Sequence, residues 1–86
     1  MAAEIEYARS FALTAAQYQD TQLTGRIIAA REQLARQWPQ LPHEADEEYI
    51  LPPVGRAHAR VIHGTSLRLV YNVTDRGVLL IAVVGE

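Results

Sequence analysis

Arg56-Ala57-His58-Ala59-Arg60-Val61-Ile62, the turn His63-Gly64-Thr65-Ser66, and Leu67-Arg68-Leu69-Val70-Tyr71-Asn72-Val73 form the stretch whose reading decides the fold. Side chains alternate faces along a strand. Arg56, His58 and Arg60 therefore share one face, and Ala57, Ala59 and Val61 the other. On the next strand Leu67, Leu69, Tyr71 and Val73 read as the core face, with Arg68, Val70 and Asn72 turned away. A second turn, Thr74-Asp75-Arg76-Gly77, leads into the apolar run Val78 to Val84. Three consecutive strands are expected between Gly55 and Val84. Folding the first pair as a hairpin brings Arg60 and Arg68 together if their faces match, and the turn sets that register.

Working back from this stretch, Glu4-Ile5-Glu6-Tyr7 alternates as a half-buried strand with Ile5 and Tyr7 inward. Ser10 reads as the N-cap of a short helix from Phe11 to about Gln19, with Phe11, Ala15 and Tyr18 on one side. Asp20 or Thr21 caps a second helix, Gln22 to Trp38. Its Leu23, Ile27, Ala30, Leu34 and Trp38 recur every three or four residues and form one apolar stripe. Gly25 in this helix suggests close approach to the preceding one. Pro39 and Pro42 stop it, because proline lacks an amide and clashes with the turn behind. Gln40 to Pro53 is the least regular stretch, with Tyr49-Ile50-Leu51 expected to tuck onto the core. The order β-α-α-β-β-β indicates an α+β fold, with two helices on one face of a mostly antiparallel sheet. The other face is expected to stay partly open and to carry the basic row.

The chain has 86 residues and reads as a single domain, 1–86, with one modest core. Formal net charge is -2, which argues against a general nucleic-acid binder, but the charge is unevenly placed. All basic residues are arginine. Glu44, Asp46, Glu47 and Glu48 make an acidic run, whereas Arg56, Arg60, Arg68 and Arg76 face only Asp75. The acidic run is expected as a solvated surface, the alternative being a shield over the arginines. Cysteine is absent, so thiolate metal sites and disulfides are excluded. No apolar run reaches the roughly 20 residues of a membrane helix. No basic-then-apolar leader opens the chain, and a cytoplasmic protein is expected.

His43, His58 and His63 lack the spacing of a metal site, no glycine-rich phosphate loop occurs, and no serine stands by a base. Neither metal nor cofactor is expected. The chemistry that remains lies in Arg56, His58, Arg60 and Arg68. One reading is a solvated sheet face, or arginines paired with the acidic loop. The other is an RNA-phosphate site. Guanidinium forks suit phosphate oxygens and would stabilise the charge that grows during attack by a 2′-hydroxyl. His58 or His63 would serve as acid or base, since an imidazole ordinarily titrates near neutrality.

The segment Arg60 to Asp75, with Arg68-Leu69-Val70-Tyr71 inside it, resembles the signature hairpin of the RelE/ParE toxin superfamily. Val78 to Gly85 is similar to that family's last core strand and its Val-Gly ending, and the order of elements agrees. The resemblance implies a bacterial type II toxin neutralised by an antitoxin that wraps its surface, forming a toxin–antitoxin hetero-oligomer. In the mRNA interferase branch, an endoribonuclease that cuts message on the ribosome, the matching positions are His58, Arg60 and Arg68 as catalytic residues. Arg56 and His63 would bind RNA phosphate beside them. RNA-cleaving members continue past Val-Gly with basic residues and often a tyrosine, whereas this sequence reads Gly85-Glu86. Cleavage is then expected to be weak, to rest on Glu86 and the histidines, or to be lost. The alternatives are a ParE-like inhibitor of DNA gyrase without nuclease activity, or an inactive relative that only binds its antitoxin.

Overall fold

The computed structural model describes residues 3–18, 20–53 and 55–85. Its elements are β1 (Glu4–Tyr7), α1 (Arg9–Ala15), α2 (Thr21–Gln37), β2 (Glu47–Leu51), β3 (Gly55–Val61), β4 (Arg68–Val73) and β5 (Gly77–Val84). The α+β class, with both helices on one face of a mostly antiparallel sheet, is as the sequence indicates. The sheet runs β1-β5-β4-β3-β2, with β1 parallel to β5 and every other pair antiparallel. Among the described residues no helix is long and apolar enough to cross a membrane.

The clearest local determinants are in α2. Asp20 is its N-cap, and the carboxylate accepts from the amides of Gln22 (2.8 Å) and Leu23 (3.2 Å). These are first-turn donors with no partner inside the helix. The stripe buries Ile27, Ala30 and Leu34, with Leu23 and Trp38 packed at its ends. They meet Leu69, Tyr71, Val78, Leu80 and Val83 of the sheet. Trp38 closes the helix, and its Nε1 donates to the Thr74 carbonyl at 3.2 Å. Gly25 has nothing within 4 Å of where a Cβ would stand, so the expected close approach is not made there.

In α1 the sequence reading is corrected. The helix starts at Arg9 behind Ala8, and no side chain caps it. Ser10 instead donates to the Ile81 carbonyl at 2.6 Å, and the Thr14 hydroxyl accepts from the Val83 amide at 2.9 Å. Strand β1 pairs with β5 only as far as Leu80. The two hydroxyls thus serve β5 backbone groups beyond its reach, which would otherwise be buried unpaired. The expected end of α1 near Gln19 is also too far, since the helix stops at Ala15 and Gln19 lies outside the described residues. Alternation predicts an inward Tyr7, yet it is half exposed, its ring tilted against Phe11 and its hydroxyl accepting from Arg31.

The β4–β5 register shifts between Val70 and Tyr71, so Tyr71 pairs with Leu80 and Val70 with Ala82. An extra residue on one strand reverses its alternation. That places Val78, Leu80 and Val83 together on the helix side, while Ile81 and Ala82 join Ala57, Ala59 and Val70 in a second apolar cluster behind the sheet. Gly77 starts β5 where β1 crosses, and a Cβ there would collide with the Glu4 backbone.

Within the stretch read as irregular, Glu47–Leu51 forms an additional strand, β2, at the sheet edge. Tyr49 and Leu51 pack on the second cluster, whereas Ile50 is exposed. Alternation along β2 turns Glu48 and Glu47 to opposite faces, and each finds an arginine there.

An acid-locked arginine row as the candidate functional site

Period-two alternation on β3 sets Arg56, His58 and Arg60 on one face, as the sequence predicts. What the hairpin does with that face departs from the expectation. The turn is closed by Ile62 and Leu67 (N···O 2.9 Å), with Gly64 at a φ of 79°. This register pairs Arg60 with Leu69, His58 with Tyr71 and Val61 with Arg68. Directly opposed residues share a face. Arg60 and His58 therefore lie on the helix side with Leu69 and Tyr71, and Arg68 lies on the far side with Val61. The β3 members of the basic row are thus on the helix face and not on the open one, whereas Arg68 is turned away from the helices as its alternation predicts. The guanidiniums of Arg60 and Arg68 do not converge.

The centre of the row is Asp46, which the sequence did not single out from its acidic neighbours. Its side chain is 1% exposed and that of Arg60 is 11% exposed. Arg60 donates from Nε to Oδ1 at 2.7 Å and from Nη2 to Oδ2 at 2.9 Å, a two-pronged clamp on one carboxylate. The Tyr71 hydroxyl donates to Oδ2, and so does the His43 amide at 3.0 Å. Burial by itself would raise the Asp46 pKa, but the Arg60 and Tyr71 hydrogen bonds, the His43 amide and the guanidinium charge outweigh it and hold the carboxyl below its ordinary range. Burial, followed by the hydrogen bond to the Asp46 anion, pushes the Tyr71 phenol well above its ordinary value. An ionised Asp46 and a protonated Tyr71 are thus the stable pair at neutral pH.

The other arginines of the row are also matched to acids. Arg56 faces Glu48 at 3.9 Å on an exposed surface, and Arg68 lies 3.4 Å from Glu47 without hydrogen-bond alignment. Glu44, Glu47 and Glu48 of the acidic run stay exposed, as expected of a solvated surface, and Asp46 is the member withdrawn from solvent. Three of its four carboxylates stand against the basic row. His58 rests its ring on Tyr71, centroids 5.6 Å apart. His63 is exposed at the turn, and its carbonyl accepts from Arg26 at 2.8 Å. Glu86 lies outside the described residues.

A cavity of about 370 Å³ borders this network, walled by Gln33, Gln37, His43, Asp46 and Arg60 among others. Arg60 Nη1 and Gln37 Oε1 are buried without a protein partner. As placed, Arg60 has committed its Nε–Nη2 fork and its charge to a carboxylate, which leaves only Nη1 without a protein partner beside the cavity. The geometry suits holding loop 43–46 against β3 and β4 more than it suits transferring a phosphoryl group. Among the described residues no three His, Asp or Glu side chains gather as a metal-binding set.

The chain matches no known protein-family model, and no curated protein aligns with it significantly.

Proposed function

We propose that the chain is a toxin of the RelE/ParE type that acts by contact with its target and not by cutting RNA. The class rests on the hairpin resemblance and the order of elements. The choice of branch rests on one observation: Arg60 is clamped by buried Asp46 on one face of the sheet, while Arg68 stands on the other. A nuclease of this kind needs converging donors aimed at the phosphate as charge develops. A ParE-like inhibitor of DNA gyrase has no such requirement. The working site is cytoplasmic, and a cognate antitoxin is the expected partner, carried as a short segment that orders on binding.

Two parallel assays test this. Purified protein is added to ribosomes with bound message, and separately to gyrase with relaxed plasmid. Intact message together with blocked supercoiling is expected. Message cut in the ribosomal A site would overturn the contact reading, and undisturbed supercoiling would remove gyrase as the target.

A further inference from the structure

With Arg56, Arg60 and Arg68 matched to acids, the positive charge left without acidic partners must be sought elsewhere. It lies in part on α2. Among the described residues neither Arg26 nor Arg36 has an acidic side chain within ion-pair distance. Both line a groove of about 250 Å³ with Ala29, Ala30, Gln33 and His63. Residues 26, 29, 30, 33 and 36 recur at helical spacing, so they form one face of α2, and the β3–β4 turn supplies the opposite wall. The two arginines are ten residues apart, about 15 Å along the helix axis.

Three details make this more than two exposed arginines. Arg26 is held in place, because its Nη1 donates to the His63 carbonyl at 2.8 Å. Gly64 permits this: a Cβ there would collide with the Arg26 guanidinium. The remaining guanidinium N–H groups are left for a ligand, and less side-chain freedom is lost on binding. The groove floor is alanine, which admits a backbone closely. Gln33, midway along, also walls the 370 Å³ cavity beside Asp46, so the two hollows adjoin along α2.

We propose that this groove receives an acidic polypeptide segment, with two carboxylates spaced to meet Arg26 and Arg36 and main-chain groups facing Gln33. Charge complementarity sets the sign of the partner. The groove lacks Phe, Tyr and Trp side chains on which bases stack, which disfavours a nucleic-acid strand relative to a short acidic peptide. The inference stands apart from the toxin reading, because it uses only the charges on α2 and the shape of the turn.

The test uses the full chain and a fluorescein-labelled glutamate-rich peptide, followed by anisotropy at moderate salt. A glutamine-substituted peptide and a single-stranded RNA of similar length are the comparisons. The acidic peptide should bind and the glutamine version should not. The double variant Arg26→Gln/Arg36→Gln should weaken binding roughly tenfold or more, as expected for lost charge-assisted hydrogen bonds. Arg9→Gln/Arg76→Gln, which alters the same net charge elsewhere, should leave it within about twofold; circular dichroism confirms that both variants fold. No binding by the parent chain, equal loss in the two double variants, or RNA bound through Arg26 and Arg36 in preference to the peptide would each overturn the proposal.

Discussion

Replacing Asp46 with alanine removes the acceptor shared by Arg60, Tyr71 and the His43 amide. Exposure decides which energetic regime applies. At 1% the Asp46 side chain is withdrawn from solvent and at 11% that of Arg60 is largely shielded, so the small values typical of surface ion pairs do not hold. Breaking a buried pair from one side leaves an uncompensated charge, at a cost of about 3–5 kcal/mol. The stranded Tyr71 hydroxyl adds about 1–3 kcal/mol if it finds no other partner. These losses overlap, because Arg60 can swing toward the 370 Å³ cavity and regain some hydration. A net loss of about 4 kcal/mol is expected. Total stability for a chain of this size is on the order of 4–13 kcal/mol. The variant should therefore melt roughly 15–30 °C lower, or be largely unfolded at room temperature.

Urea and thermal unfolding followed by circular dichroism measure the loss. The double variant Asp46→Ala/Arg60→Met should recover most of it, since an apolar replacement of both partners leaves no stranded charge. A loss under about 1 kcal/mol for Asp46→Ala, or no recovery in the double variant, would refute the account of Asp46 as the buried hub.

Asp46 is depressed in the fold, so its contribution is complete above the ordinary carboxylate pKa of about 4 and is lost as pH falls through the lower folded value. Tyr71 is raised, so its contribution is complete below about pH 10 and declines as pH rises further. A plot of unfolding free energy against pH should show both slopes, and Tyr71→Phe should remove the alkaline one. Gly77→Ala should cost more than the roughly 1 kcal/mol seen for ordinary strand changes, because β1 must move off β5 to admit the methyl. Hydrogen exchange at Ile5 and Tyr7 would report that displacement. Arg56→Ala should shift the melting temperature by only a few degrees, since its pairing with Glu48 is exposed.

Much of the architecture was legible in one dimension. The α2 stripe and its Asp20 cap, the inward positions Leu69 and Tyr71 of β4, and the two turns of the last three strands depend on periods of 3.6 and 2 and on local turn chemistry. Such signals span a few neighbouring residues, and tertiary contacts here reinforced them. Ser10 shows the limit: a residue shaped to cap a helix was drawn to the Ile81 carbonyl, a long-range backbone acceptor. β2 was hidden because Glu47 and Glu48 do not look like strand residues until β3 offers a ladder and arginines to both faces.

The candidate site divides in the same way. The membership of the basic row on β3 followed from alternation alone, and so did the excess of acid between Glu44 and Glu48. Which face that row would occupy depended on the register of one hairpin, where a slip of a single residue exchanges the faces. Asp46 became the hub through partners 14 and 25 residues away, and Arg26 met the His63 turn across 37. Amino-acid order specified the elements and the charges they carry, because those rest on short-range sterics. Only the folded chain decided which charges cancel and which stay available, because that is settled by distances between segments no local pattern encodes.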